Sequence, residues 1–382
     1  MSVSIQAMRD IYTACKSARQ GIWSERLHAL QLLAADDLIR WMHEQLLSRS
    51  PGMGGVINMP PGGGKTNFAI AAMVATNIDD LRNQFQMGTN KGKQSIVMAP
   101  WNFLLDQWYD ELLDSNRFGN WIRPEHIGLF DAENSTPRQK AEALQRPIVL
   151  VTYGTVRSLL DESEGETKSF RGADGRMVRL EPSNFSLAFF DEAHLDPNAE
   201  ETSAILKEHF INPRRAGPLS FALSATPIRM GGEFIGRALY GADVAIHETT
   251  IKQAIDAGVH PPMIYIPVEN YRDRSSPVTV TPRTPGVEYT ESQIEAFVKQ
   301  GGFDRAMLEL LDSATHPITK KPLREMKMII FGAGVEHCIL NQQVDQRRIH
   351  HRYSKAVPRI YFRMVPDFES YIFVGIITIT EK

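Results

Sequence analysis

The chain has 382 residues, long enough for two domains, with 42% hydrophobic and 23% charged residues and a formal net charge of −3. That balance is ordinary for a globular protein and excludes a low-complexity chain or a strongly basic nucleic-acid-coating one, though a groove can still be locally basic. Cys15 and Cys338 lie too far apart in sequence for a metal-like spacing and suggest a reducing, intracellular and cytoplasmic setting; the N-terminus lacks the apolar core of a signal peptide, and no run reaches the ~18 apolar residues that span a bilayer.

Residues 1–50 read as helical, with Leu27, Leu30, Leu33, Leu38, Trp41, Leu46 and Leu47 at helix-like spacing until SRSPGMGG (48–55) breaks the pattern. A short strand is expected over Gly55–Met59 and an alanine-rich helix over Asn67–Ala75. Between them stands PPGGGKT. Three consecutive glycines carry a high entropy cost that core packing does not reward, so something there needs bare backbone. Gly62, Gly63 and Gly64 suit a concavity of N–H groups around an anion, with Lys65 on phosphates and the Thr66 hydroxyl on magnesium. The strict G-x-x-x-x-G-K-[ST] pattern fails at Met59, and a plain glycine turn before Lys-Thr is the alternative. Residues 77–93 are polar. A buried strand is expected over Ser95–Ala99, ended by Pro100-Trp101-Asn102. The helix Phe103–Leu112 should follow, with Leu104, Trp108 and Leu112 on one face, and Trp101 and Trp108 read as core. Further buried strands are expected over Pro147–Thr152, Leu187–Phe190 and Leu219–Leu223, with a turn or hairpin insertion at FRGADGR (170–176). Apolar strands alternating with helices indicate an α/β fold whose parallel sheet is covered on both faces. RDRSSPVTVTPRTP (272–285) reads as a linker, Glu291–Leu311 as a helix and Lys327–Phe331 as a new strand. The resulting division is 1–250, a linker region over 251–290, and 291–382.

The strand ends carry the chemistry. Asp191-Glu192-Ala193-His194 ends the third buried strand: an aspartate there suits a magnesium anchor, and the adjacent glutamate can orient and polarise water. The fourth runs into Ser224-Ala225-Thr226-Pro227, whose hydroxyls can bond the carboxylates. Taken singly, the first element is also compatible with a solvated carboxylate pair and the second with a common tripeptide.

In this order, each at a strand end, the elements resemble the first RecA-like lobe of a superfamily-two helicase or translocase, over roughly residues 20–250. MPPGGGKT resembles that family's Walker A variant MPTGSGKT, with Pro61 a departure. DEAH at Asp191–His194 matches its Walker B box and LSATPIR at Leu223–Arg229 its coupling motif. The resemblance implies ATP and Mg2+ as cofactors. Lys65 would then act on phosphates, Thr66 and Asp191 on the metal and Glu192 as the catalytic carboxylate; His194, Ser224 and Thr226 would belong to the nucleotide site, with Ser224 and Thr226 coupling nucleotide state to strand grip. It assigns backbone contact with nucleic acid to Pro100 and Asn102 (VMAPWNFLLDQW) and to Thr152 and Tyr153 (VLVTYGTV), and adenine recognition to Arg26 and Gln31 (RLHALQ). An ordinary strand end and the polar face of a helix are the respective alternatives.

Family members need a second RecA-like lobe, and KMIIFGAGVEH (327–337) resembles its beginning. The expected glycine–aspartate motif and Q-x-x-G-R-x-x-R are not found. QRRIHHR (346–352) lacks the internal glycine, so Arg347, Arg348 and Arg352 also fit a solvated basic surface. Residues 332–382 are few against the on the order of 100–150 of a complete domain, so a partial or divergent second lobe is expected. The resemblance implies an ATP-dependent nucleic-acid motor, with DNA favoured over RNA because Leu239–Pro262 resembles the lobe-bridging segment of repair helicases and restriction translocases. The alternative is an ATP-gated module that binds nucleic acid or protein, hydrolyses little, and needs a partner chain to supply an arginine finger or second lobe.

Overall fold

A computed structural model describes residues 5–48, 52–82, 94–132, 135–160, 168–195, 199–212, 217–228, 233–259, 327–329 and 377–379. By internal contacts the chain divides into two units, Met1–His260 and Pro261–Lys382. The first opens with helices α1 (Ile5–Gln20), α2 (Ile22–Arg26) and α3 (Ala29–Leu47). Then come β1 (Gly54–Asn58), α4 (Lys65–Arg82), β2 (Gln94–Ala99), α5 (Asn102–Leu113), β3 (Ile127–Leu129), α6 (Pro137–Leu144), β4 (Ile148–Thr152) and α7 (Tyr153–Leu160). A hairpin of β5 (Ser169–Arg171) and β6 (Met177–Arg179) precedes β7 (Phe185–Asp191), α8 (Ala199–Leu206), β8 (Leu219–Ser224), α9 (Ile235–Tyr240), β9 (His247–Glu248) and α10 (Ile251–Asp256). In the second unit, β10 (Lys327–Ile329) pairs antiparallel with β11 (Ile377–Ile379). The helix expected over Glu291–Leu311, the 272–285 linker, the arginine cluster and the rest of the expected second lobe lie outside the described residues.

Seven strands form one sheet in the order β3-β4-β2-β7-β8-β1-β9, every neighbouring pair parallel. Successive side chains of each strand go to opposite faces, and both faces are covered. Ile57, Val97, Ala99, Ile148, Leu150, Phe189 and Phe221 belong to a core shared with α1, α3, α4 and α5. Their neighbours Val56, Ile96, Met98, Val149, Val151, Phe190 and Ala222 belong to a second core with α7, α9 and Phe210. This accounts for the uninterrupted apolar runs, since a strand buried on both sides has no polar face. The three- and two-residue edge strands β3 and β9 leave little unpaired backbone. The Trp23 indole, fully buried, donates to the Ala71 carbonyl at 3.0 Å and fixes α2 against α4.

Two helix faces differ from expectation. In α3, Leu33 and Leu47 are exposed, and Leu30, Gln31, Ala34, Ala35, Leu38 and Met42 face inward. The buried stripe is set by small residues, where helices approach closely, rather than by every leucine. In α5 the inward positions are Leu105, Trp108 and Leu112, and Leu104 is only half-buried. The hairpin expected around residues 170–176 is present, with Phe170 and Val178 packed on the core. Among the described residues, no helix is long and apolar enough to cross a membrane.

Candidate functional site

Strands β7, β8 and β1 are neighbours, so their carboxyl ends bring three separate segments to one edge of the sheet. At the end of β1 the chain makes a tight turn, closed by Gly63 N–H to the Pro60 carbonyl at 2.9 Å, and then enters α4 at Lys65. Gly62 and Gly64 have φ of +73° and +87°, where an L side chain is strained, so glycine is required for the loop's path. The loop opens into the N-terminus of an 18-residue helix, whose first-turn N–H groups have no partner within the helix and whose dipole favours an anion. Lys65 Nζ donates to the Met59 carbonyl at 3.2 Å, folded back over its own loop.

Gln31 lies beneath this loop, 4% exposed. Its Oε1 accepts from the His28 backbone N–H at 3.2 Å and from Asn67 Nδ2 at 3.1 Å, and its Nε2 donates to the Gly64 carbonyl at 3.3 Å. A Cβ on Gly64 would fall 1.8 Å from Gln31 Nε2. The sequence motif offers no sign of this bracing by Asn67 and His28. Arg26 is directed elsewhere: its guanidinium sits 5.4 Å from the Trp121 ring centroid, and Nη1 donates to the Asn116 carbonyl at 3.3 Å.

At the end of β7, the Asp191 carboxylate is buried and held by two donors, Trp108 Nε1 to Oδ2 at 2.7 Å and Glu192 N–H to Oδ1 at 3.1 Å. Burial pushes its pKa up to about 6, with the nearby Glu192 adding to the rise and the Trp108 bond and Lys65 opposing it. Glu192 has φ of +46°, a left-handed conformation unusual for a non-glycine residue, of the strained kind that clusters at active sites. His194 Nδ1 stands 3.6 Å from Glu192 Oε2 and 2.9 Å from Ser224 Oγ. Burial and then the charge of Lys65 lower its pKa to about 4, so the ring is neutral near pH 7. Ser224 Oγ also accepts from the Thr226 N–H at 3.0 Å, tying the end of β8 to this group, while the Thr226 side chain is exposed.

The segments expected to touch nucleic acid lie on the same edge, because β2 is next to β7 and β4 is next to β2, with Ala99 opposite Thr152. Pro100 is half-buried and Asn102 exposed at the start of α5. Trp101, read as core from the sequence, is half-exposed and stacks on Phe103, itself 46% exposed, with ring centroids 5.5 Å apart. Thr152 is half-buried, its hydroxyl accepting from the Thr155 N–H at 3.2 Å. Tyr153 turns inward, 5% exposed, and donates from its hydroxyl to the Asp191 main-chain carbonyl at 2.8 Å.

The sequence pattern of the DEAD/DEAH box helicase family matches residues 31–231, more than half of the chain. The chain belongs to that family. This helicase domain is therefore of superfamily two, and the matched span holds every strand from β1 to β8. No curated protein matches the sequence. Among solved structures, it is similar to the Hef helicase domain of Pyrococcus furiosus (15% identity, TM-score 0.41, covering 84% of this chain and 54% of that one). It is also similar to a nuclease-deletion mutant of the Type ISP restriction-modification enzyme LlaGI in complex with a DNA substrate mimic (16%, 0.39, 61% and 21%). A third is the RNA-helicase Prp28 of Chaetomium thermophilum bound to ADP (15%, 0.34, 56% and 43%). The chain spans at most about half the length of these structures.

Proposed function

We propose that this helicase domain is an ATP-dependent motor of the DEAH-box kind that hydrolyses MgATP to move on or remodel nucleic acid, DNA in preference to RNA. The observation that carries the reading is the adjacency of β7, β8 and β1, which gathers Lys65, Asp191, Glu192, His194 and Ser224 at one sheet edge. The residues fit a magnesium-nucleotide. The glycine loop is an open cradle for phosphates, and the buried Asp191 carboxylate, displaced upward in pKa, is a charge awaiting a cation.

In this reading Lys65 leaves the Met59 carbonyl for phosphate oxygens, beside the loop and α4 N–H groups. Thr66 and Asp191 would hold magnesium, which when bound would supply positive charge against the negative charge on the transferred phosphoryl group. Glu192 orients the attacking water and accepts its proton, and neutral His194, bonded through Nδ1 to Ser224 and 3.6 Å from Glu192, lets β8 sense the state of the site. Adenine recognition by Gln31 would use the second N–H of its amide, since its oxygen already accepts two bonds, and Arg26 would join it only by leaving the Trp121 ring and the Asn116 carbonyl. The backbone of a strand would run across Pro100, Asn102, Thr152 and the main chain at Tyr153. The preference for DNA rests on the resemblance of Leu239–Pro262 to repair-helicase and restriction-translocase segments. A partner chain or second lobe would supply the arginine that completes the ATP site.

Glu192→Gln tests this. The variant should bind MgATP as the wild type does and lose about 10²–10⁴-fold in turnover, the range for removing a general base. Wild-type-like turnover by the variant would sink the assignment. A wild type that binds nucleotide but turns over none, with DNA or without, would instead mark a nucleotide-gated clamp.

A further inference from the structure

Two side chains converge on Asp191 from the two segments that the proposed function places against a nucleic-acid backbone. From α5 comes the Trp108 indole, 2% exposed, donating to the carboxylate at 2.7 Å. From the first residue of α7 comes the Tyr153 hydroxyl, donating to the Asp191 main-chain carbonyl at 2.8 Å. Trp108 is 83 positions away in sequence and Tyr153 38. Filling the core would require only the rings, yet each polar atom is aimed at the same residue. The sheet register makes the convergence possible: Ala99 lies opposite Thr152, and Met98 lies opposite Phe190, just before Asp191.

We propose that Trp108 and Tyr153 are positioning residues that tie the two strand-gripping segments to Asp191, so that a bound strand and the magnesium-nucleotide site sense each other. The proposal rests on the functional reading above. Its mechanics are those of a short rod. Leu105, Trp108 and Leu112 seat α5 in the core, and Asn102 and Trp108 are separated by about 9 Å of helix. A shift of the first turn on gripping a backbone therefore reaches the indole. The bond from indole to carboxylate is charge-assisted and directional, so small displacements weaken it and reorient the carboxylate. Coupling of this kind is reciprocal: nucleotide must change strand affinity by the same factor by which strand changes nucleotide affinity.

The experiment measures the affinity of the full chain for a fluorescent single-stranded DNA with and without a magnesium-bound, non-hydrolysable ATP analogue. The ratio is expected to be about fivefold or more in the wild type and to fall to within about twofold of one in Tyr153→Phe, which keeps its ring and loses only the hydroxyl donor, and in Trp108→Phe, which loses the indole N–H together with part of the ring. A second readout needs no turnover. Of the five tryptophan indole N–H resonances, the one missing from Trp108→Phe should move in the wild type when DNA is added, while that of Trp23, bonded to Ala71, stays. Undiminished coupling in both variants overturns the proposal, and so does a wild type that binds both ligands without coupling. If Trp108→Phe fails to fold, loss or retention of coupling in Tyr153→Phe decides alone. A wild type that binds neither nucleotide nor DNA removes the functional reading first and this inference with it; one that binds both, with coupling unchanged in the variants, removes this inference only.

Discussion

Asp191 sets the chemistry of the site by being expensive to ionise. Its carboxyl sits at about 6 in the folded chain against an ordinary 3.8, so the folded state binds this proton more tightly than the unfolded state. Stability from this group is therefore full below about pH 4 and is lost as pH rises through 6, a change of about 3 kcal/mol at about 1.4 kcal/mol per pH unit. Asp191→Asn removes that penalty. It is expected to raise the unfolding free energy of the metal-free protein by up to about 3 kcal/mol at pH 7.5 and by nearly nothing at pH 4, as read by urea titration at both values. The same change should abolish magnesium-dependent nucleotide binding, a gain in stability set against function. His194 works in the opposite sense: its value of about 4 against 6.5 gives stability that is present above pH 6.5 and lost as pH falls toward 4, so the acid sensitivity of the Asn variant should be steeper. Lys65→Ala should remove measurable binding of a fluorescent ATP analogue, because the phosphates lose their cation; affinity within a few-fold of the wild type would refute the site.

At the scale of elements, the phosphate loop is a shape held between α3 and α4. Gly64→Ala should impose two separate costs. One is an L side chain at φ of +87°, about 1–2 kcal/mol, and the other is displacement of Gln31, whose Nε2 stands 1.8 Å from the added carbon. The double change Gln31→Ala with Gly64→Ala should recover only the second, so the melting temperature returns part of the way; full recovery would mean that the backbone conformation costs nothing. The loop, the strand ends and the 170–176 hairpin were legible in the sequence because each is a local signal: glycines before Lys-Thr, apolar runs stopped by polar residues, a turn between short strands. The bracing was not. Gln31 meets Asn67 across 36 positions and Trp108 meets Asp191 across 83, and no local periodicity encodes such pairs. The face of α5 was misread by one position, with Leu104 taken for Leu105. Its first turn carries an exposed aromatic pair, and large apolar side chains there are no guide to the buried side.

Among the described residues, both hydrophobic cores draw on residues between Met8 and Ile246, within the Met1–His260 unit. That unit, expressed alone, is expected to fold with one cooperative urea transition. It should bind single-stranded DNA with an affinity that falls as salt rises, in proportion to the phosphates neutralised. In the proposed motor it should not displace a strand from a tailed duplex, since it would hold only one of the two lobes expected to close and reopen. Robust unwinding by the unit would show that closure by a second lobe is dispensable. The contact boundary falls after His260, so α10, at the start of the expected 251–290 linker region, belongs to the first unit, and the described residues of the second unit are those of β10 and β11.

The place of β1 bears on how the protein is born. Its neighbours are β8 and β9, both made long after it, and it does not touch β2, the next strand to leave the ribosome. While residues 59–218 are being made, the strand that carries the phosphate loop lacks both of its sheet partners, and pairing it means closing one of the longest loops in the unit, a slow step. A nascent chain stopped before Leu219 lacks both partners of β1, and under the proposed function it is expected not to hold nucleotide at the loop. The last strands to emerge lock the first one in place, and the ability to bind arrives together with the finished sheet.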